Sequence, residues 1–289
     1  MMETISADDH AYALLEGTGQ YKVLRRLPPI RGQRDVEGPT QAALILDTET
    51  TGLDTATAKI IEIALLPVYY NSALEIVDVG IPYTALQDPG EPLSEEVRRV
   101  TGLTDEMLKG QSIDWEIADT MIAVSNIDVA HNAAFDRPLI ERYCPSAAKK
   151  AWACTANEIP WKADGFPSTA LWAIAYHLGY FFDAHRAMGD VNALASILAL
   201  TKFKTLIESA RRTHYRVFAT GSPFGEKDRL KARGYKWDDK GRVWYFDVTD
   251  NTCGLDEMPP LDLELNWLRM NAACPRASFK ELTARERYK

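Results

Sequence analysis

Ala43-Leu44-Ile45-Leu46-Asp47-Thr48-Glu49-Thr50-Thr51-Gly52 is the stretch on which the fold turns. Four apolar residues in succession suit a central strand buried on both faces. The run stops at two acids separated by one residue. Side chains alternate along a strand, so Asp47 and Glu49 share a face at its end. Neighbouring carboxylates repel unless a cation lies between them, which makes a hard-metal site attractive there. A turn bearing two solvated acids is the other reading of the same residues.

Outward from that strand, Ile60-Ile61-Glu62-Ile63-Ala64-Leu65-Leu66 and residues 74–81 predict two more strands, with Asn71-Ser72 marking a hairpin between them. Residues 94–125 predict helix, interrupted at Gly102 and Gly110. A short strand is predicted at 127–130, and helices over 133–143, 169–177 and 187–204. Strands first, then alternating strand and helix, give an α/β domain: a mixed β-sheet flanked by helices. This main domain is placed at 41–210. Residues 1–40 form a polar extension whose segment 21–27 suits a strand or short helix before Pro28, Pro29 and Gly32 break it. It reads as an arm laid on the main domain.

The composition sets outer bounds. A chain of 289 residues with 46% hydrophobic content can bury a real core, as one domain of ordinary size plus an appendage. Cys144, Cys154, Cys253 and Cys274 form no CxxC pair, which argues against a zinc knuckle or a disulfide framework and fits a reduced, cytoplasmic compartment. Residues 1–10 lack the apolar centre of a signal peptide, and no apolar run reaches about 18 residues, so no membrane partner is expected. The net charge of −8 argues against a broad basic coat for nucleic acid. It leaves room for an enzyme that meets phosphate through bound metal.

Two further motifs carry candidate chemistry. His131-Asn132-Ala133-Ala134-Phe135-Asp136 follows a predicted strand and opens a helix. Asp136 there could reach a metal, or could cap the helix with Pro138 in its first turn. His131 reads as a strand-end residue and Phe135 as core. His185-Arg186-Ala187-Met188-Gly189-Asp190 leads into a helix with Leu194, Ile197 and Leu198 on its apolar face. A histidine titrates near neutrality and can take a proton from water, although a lone histidine is more often structural.

Taken together, the three motifs resemble the DnaQ-like DEDDh 3′→5′ exonucleases of the ribonuclease H-like superfamily, which include bacterial proofreading subunits. The resemblance covers about 42–205, and Val100-Thr101-Gly102-Leu103-Thr104-Asp105-Glu106-Met107-Leu108 adds to it. It implies a ribonuclease H-like sheet and a phosphodiester hydrolase using two divalent cations, Mg²⁺ or Mn²⁺. Asp47 would bridge both, Glu49 and Asp190 would complete the first site, and Asp136 would hold the second. His185 would be the general base; its place five residues before the last acid marks the DEDDh branch. Thr50, Gly52 and Leu53 would contact the terminal nucleotide. Two cations about 4 Å apart can stabilise attacking and leaving oxygens in an in-line displacement.

Residues 213–250 read strand, helix, hairpin, a small α+β module, with Gly234 as helix C-cap and a turn at Asp238-Asp239-Lys240-Gly241. Lys227, Arg229, Lys231 and Arg233 lie on its helix, with Lys236 nearby. Tyr235, Trp237, Trp244 and Tyr245 interleave with them. That mixture suits single-strand binding; the tryptophans equally suit the core of a tiny domain, and both can hold. The module resembles a small uncharacterised one from bacterial nucleic-acid and plasmid-associated proteins, and a protein partner is its other use. Residues 251–289 predict a helical tail with a basic end.

The expected function is release of nucleoside monophosphates from the 3′ end of DNA, single-stranded or frayed, in repair or proofreading. Trimming of RNA 3′ ends and a polymerase-associated binding subunit are the alternatives. No glutamine follows Gln111, so a glutamine-led clamp-binding peptide is missing, which favours a stand-alone nuclease.

Overall fold

The structure, a computed structural model, describes residues 7–30, 32, 38–249 and 260–289. Cys253 and the start of the expected tail lie outside the described residues. The Gln41–Thr50 strand is the centre of the main sheet. On one side it runs antiparallel to Ile60–Tyr70, with Asp47 opposite Ala64 and Glu49 opposite Glu62. On the other side it runs parallel to Ile127–Ala130, which in turn pairs with Trp152–Cys154. Hairpins serve the antiparallel half, whereas the parallel half needs helical crossovers. Alternation then sorts the central strand into two layers. Ala43 and Ile45 pack with Val191 and Leu194 of the Ala187–Ile197 helix. Leu44 and Leu46 pack with Ile122 of Trp115–Val124 and with Ala133 and Leu139 of Ala133–Ile140. A mixed sheet with helices on both faces is the architecture expected from the sequence.

Several elements differ in detail. The strand expected over 74–81 is shorter, Ile76–Val79, because Gly80-Ile81-Pro82 ends it, and a further strand, Tyr83–Leu86, follows; both pair with Ile60–Tyr70. The 94–125 helix divides into Glu95–Thr101, Asp105–Leu108 and Trp115–Val124, the first closed by Gly102 in the left-handed conformation at φ 69°. Trp152–Cys154 has only three residues, too few to show a period. The helix from Ala187 passes through a π-helical stretch, Leu198–Lys202, and resumes as Phe203–Arg211. In the arm, an unexpected helix Ala7–Gly17 precedes Arg25–Arg26, which pairs in parallel with Tyr180–Phe181 while Leu27 is buried in the main core. None of the described helices is long and apolar enough to cross a membrane.

The expected helical tail needs the larger correction. Pro260–Asn271 is a helix, but Ser278–Leu282 is a strand paired antiparallel with His214–Phe218. The second sheet therefore has the order Lys236–Asp238, Val243–Thr249, His214–Phe218, Ser278–Leu282. Leu265 and Leu268 of the 260–271 helix fill its core beside Val217, Leu230 and Tyr235. The last residues then return to the main domain. Trp152 donates its backbone N–H to Ala284 O at 2.8 Å. Arg137, fully buried, donates to Arg285 O at 2.7 Å and Arg287 O at 2.6 Å. Arg287 meets Glu158 at 2.9 Å, both side chains buried.

Candidate active site

Layering decides which acids meet. Asp47 and Glu49 are odd-numbered on the central strand, so they face the layer containing the Ala187–Ile197 helix. Asp190 lies in the first turn of that helix. One carboxylate oxygen from each of Asp47, Glu49 and Asp190 lies within 4.8 Å of the others. Asp136 comes from the opposite layer. Thr48, even-numbered, faces that layer and its hydroxyl donates to Asp136 Oδ1 at 2.9 Å. Asp136 is the fourth residue of its helix, whose cap position is Asn132, so the capping alternative does not describe it. Pro138 is accordingly inside the helix and not in its first turn.

The cluster holds more negative charge than it can keep ionised without help. Burial, then repulsion from Asp136, Asp190, Glu49 and Glu62, holds Asp47 well above the usual carboxylate range. Glu49 is pushed up to about 8 by burial and then by Asp190 and Glu62. Burial raises Asp136 to about 7 against the opposing Thr48 hydrogen bond, and it raises Asp190 too. An all-oxygen donor set under mutual repulsion is the chemistry that suits a divalent hard cation. Three acids converging and a fourth bonded behind them fit such a group.

The loop before the last helix is built around Asp190. Its Oδ2 accepts the backbone N–H of His185 at 2.8 Å and of Arg186 at 3.2 Å. His185 is held in the left-handed region at φ 67°, uncommon for a residue with a side chain, and its imidazole is exposed. Gly189 has its own reason to be glycine: a Cβ there would stand 2.7 Å from Asp183 O. On the other flank, Thr50 donates its hydroxyl to Gly52 O at 2.7 Å, and Leu53 is 88% exposed. A Cβ on Gly52 would meet open space.

Two residues were not singled out from the sequence. Glu62 is buried across from Glu49, and Arg186 clamps it with Nε at 3.0 Å and Nη2 at 2.9 Å. Ala187 N–H adds a third contact at 3.2 Å. A lone acid inside the apolar run 60–66 was the available signal; its partner lies 124 positions away. His131 is tied at both ring nitrogens, Nδ1 to Thr155 Oγ1 and Nε2 to Thr169 O, each 2.8 Å, which suits the framework place given to it. Phe135 packs against the layer that holds Leu44, Leu46 and Leu139.

Fold and acid cluster together define a nuclease of the DnaQ-like exonuclease class. The chain belongs to the RNase_T exonuclease family, whose model matches residues 44–198, more than half of it. It is similar to the PolC-type DNA polymerase III of Clostridium perfringens, 32% identical over 171 residues, which is 57% of this chain and 11% of the polymerase. The PolC-type enzyme of Halalkalibacterium halodurans is 39% identical over 95 residues, 32% of this chain and 6% of that protein. The chain thus spans a small fraction of the curated relatives it matches. Among solved structures, a zinc-bound complex of Escherichia coli exonuclease I with single-stranded DNA superposes at a TM-score of 0.51 with 14% identity, covering 81% of this chain and 72% of that one. Exonuclease X with 5′-overhanging duplex DNA gives 0.43 with 22% identity, covering 58% and 98%.

Proposed function

We propose that this protein is a metal-dependent 3′→5′ exonuclease that releases nucleoside monophosphates from single-stranded or frayed DNA 3′ ends, in repair or proofreading. The observation that carries it is the convergence of Asp47, Glu49 and Asp190, with oxygens within 4.8 Å, at the open end of the central strand. Those three, with Asp136 behind Thr48, would hold two divalent cations; oxygen donors favour Mg²⁺ or Mn²⁺ over Zn²⁺. Such cations supply Lewis-acid stabilisation of the charge that develops on the phosphodiester. The chain's own groups do the rest. His185, exposed at the loop and anchored through its backbone by Asp190, accepts the proton of the attacking water. The Arg186 clamp on Glu62 fixes the start of the Ala187–Ile197 helix, and with it Asp190. Gly52 and Leu53 flank the cluster, with Leu53 free to rest against the terminal base, while the buried Thr50 shapes their turn through its hydrogen bond to Gly52 O.

DNA is favoured over RNA because the curated relatives are DNA polymerases and the superposed exonuclease I carries single-stranded DNA. End-labelled single-stranded DNA, blunt duplex DNA and RNA, incubated side by side with Mg²⁺, test that choice. Single-stranded DNA should be degraded fastest. RNA degraded faster than either DNA would move the substrate to RNA.

A further inference from the structure

Six cations of the C-terminal module fall into two groups. Arg233 grips the buried Glu264 through Nε at 2.8 Å and Nη2 at 2.8 Å, Arg216 grips Asp247 at 2.7 and 2.8 Å, and Arg229 meets Glu226 at 3.3 Å. Arg233 and Arg216 tie separate elements of the module together and Arg229 is paired within its own turn, so Arg229 and Arg233 are not the unpaired basic face that the helix suggests in sequence. Lys227, Lys231 and Arg242 make no ion pair among the described residues. All three line one cleft of about 610 Å³, and no acid is among its described lining residues.

The same cleft takes the aromatic rings. Phe224 is 82% exposed and Trp237 is 44% exposed; Trp237 and Trp244 lie with ring centroids 5.3 Å apart, tilted by 60°. Lys227 Nζ stands 4.6 Å from the Phe224 ring, and Lys231 Nζ 5.8 Å from that of Trp244. The module does not need Phe224 or Trp237 for its core, which Val217, Leu230, Tyr235, Leu265 and Leu268 already fill. Large aromatic faces left to solvent, rimmed by cations without an ion pair among the described residues, match a ligand that offers a flat ring and an anion within one repeat.

We propose that this cleft binds unpaired nucleotides of single-stranded DNA, with bases stacked on Trp237 and Phe224 and phosphates at Lys227, Lys231 and Arg242. It is a second contact for the strand, outside the acid cluster. Stacking tolerates any base, because every base has a flat face, and backbone contacts with cations carry no sequence information. The choice of DNA as ligand rests on the exonuclease reading; the binding itself does not require cleavage.

The test measures binding of a labelled oligothymidylate, about 20 nucleotides long so that it outspans one site, to the full chain carrying Asp47→Ala. Binding is thereby scored apart from cleavage, and an inactive wild type would sink the nuclease reading while leaving this result standing. Lys227→Glu with Lys231→Glu should lower affinity and flatten the dependence of log affinity on log salt by about 1.4, roughly 0.7 for each of two lost phosphate contacts. Trp237→Ala should weaken binding by roughly 5- to 150-fold. Phe224→Ala, at a side chain too exposed to matter to folding, should weaken it in the same direction and guards against a misfolded Trp237 variant. Unchanged affinity and salt slope in the lysine double variant and in Phe224→Ala would overturn the proposal. So would oligoglutamate displacing the strand as well as unlabelled oligothymidylate does, since the cleft would then serve an acidic peptide, or dTMP doing so, since it would then hold a free nucleotide.

Discussion

Arg287→Ala tests how the C-terminus is fastened to the nuclease domain. Arg287 Nη1 lies 2.9 Å from Glu158 Oε2, with both side chains buried, and Nη2 donates to Ala210 O at 2.7 Å. The pair is close but off-axis, for Glu158 Oε2 and Arg287 Nε have no hydrogen-bond partner of their own among the described residues. Glu158 Oε1 keeps the Cys154 N–H and the Tyr288 hydroxyl. Removing the guanidinium therefore leaves a buried carboxylate with its counter-charge gone, which typically costs about 3–5 kcal/mol. At about 2–4 °C per kcal/mol for a domain of this size, Tm should fall by roughly 6–20 °C. Burial already raises the pKa of Glu158, and Arg287 opposes that rise. Without Arg287 the folded-state pKa climbs further, so the folded variant takes up a proton more readily, and the deficit should shrink as pH falls from 8 towards 5. Differential scanning calorimetry of wild type, Arg287→Ala and Arg287→Ala with Glu158→Gln reads this directly. The neutral amide should recover a large part of the loss. A fall in Tm below about 2 °C, or no recovery from Glu158→Gln, would refute the reasoning.

Other expectations follow from the acid cluster. Asp47, Glu49, Asp136 and Asp190 all have folded pKa values above their unfolded ones, so without divalent cations the folded state holds the extra protons; the stability they contribute is complete only below about pH 4, where the unfolded carboxylates titrate, and is lost as pH rises through about 7 and 8, the values of Asp136 and Glu49. Thermal melts in EDTA should show a fall of roughly 5 °C or more across that window, and saturating Mg²⁺ should remove most of it. Asp190→Asn keeps an acceptor for the His185 and Arg186 N–H groups while removing charge; it should abolish cleavage yet raise the melting temperature in EDTA at pH 8, and a lower one would contradict the repulsion argument. His185→Ala should lower kcat by about 10²–10⁴-fold with KM nearly unchanged. Gly189→Ala should displace the Asp183 carbonyl and the loop carrying His185, slowing cleavage on the order of 10–100-fold with a smaller effect on Tm.

The central strand was legible because it is local: an apolar run ending in alternating acids fixes strand, burial and face within ten residues. Asp190 was legible for the same reason, at the head of a helix with a clear apolar face. What escaped depends on distance. Nothing near Glu62 announces Arg186, and nothing near Arg233 announces Glu264. Ser278–Leu282 could not be read as a strand because only Leu282 is buried, so the five residues show no alternation. Its strand character comes from pairing with His214–Phe218, some sixty positions earlier. The segment after it docks through the backbone carbonyls of Ala284, Arg285 and Arg287 and through the Arg287 and Tyr288 side chains, whose shared partner Glu158 lies far earlier in the chain. Basic residues on the 227–232 helix looked equivalent in sequence; their acid partners divide them.

The most direct test of the account is the direction and metal dependence of cleavage. Single-stranded DNA labelled at its 5′ end, and the same strand labelled at its 3′-terminal nucleotide, are incubated with the full chain in Mg²⁺, in EDTA, and with Asp47→Ala. The 3′ label should appear first as a mononucleotide while the 5′ label passes through a ladder of shortening strands, and both should stop in EDTA and with Asp47→Ala. Release of the 5′ label first, cleavage that persists in EDTA, or an Asp47→Ala variant that keeps more than a few per cent of wild-type rate would contradict a 3′→5′ exonuclease built on this acid cluster.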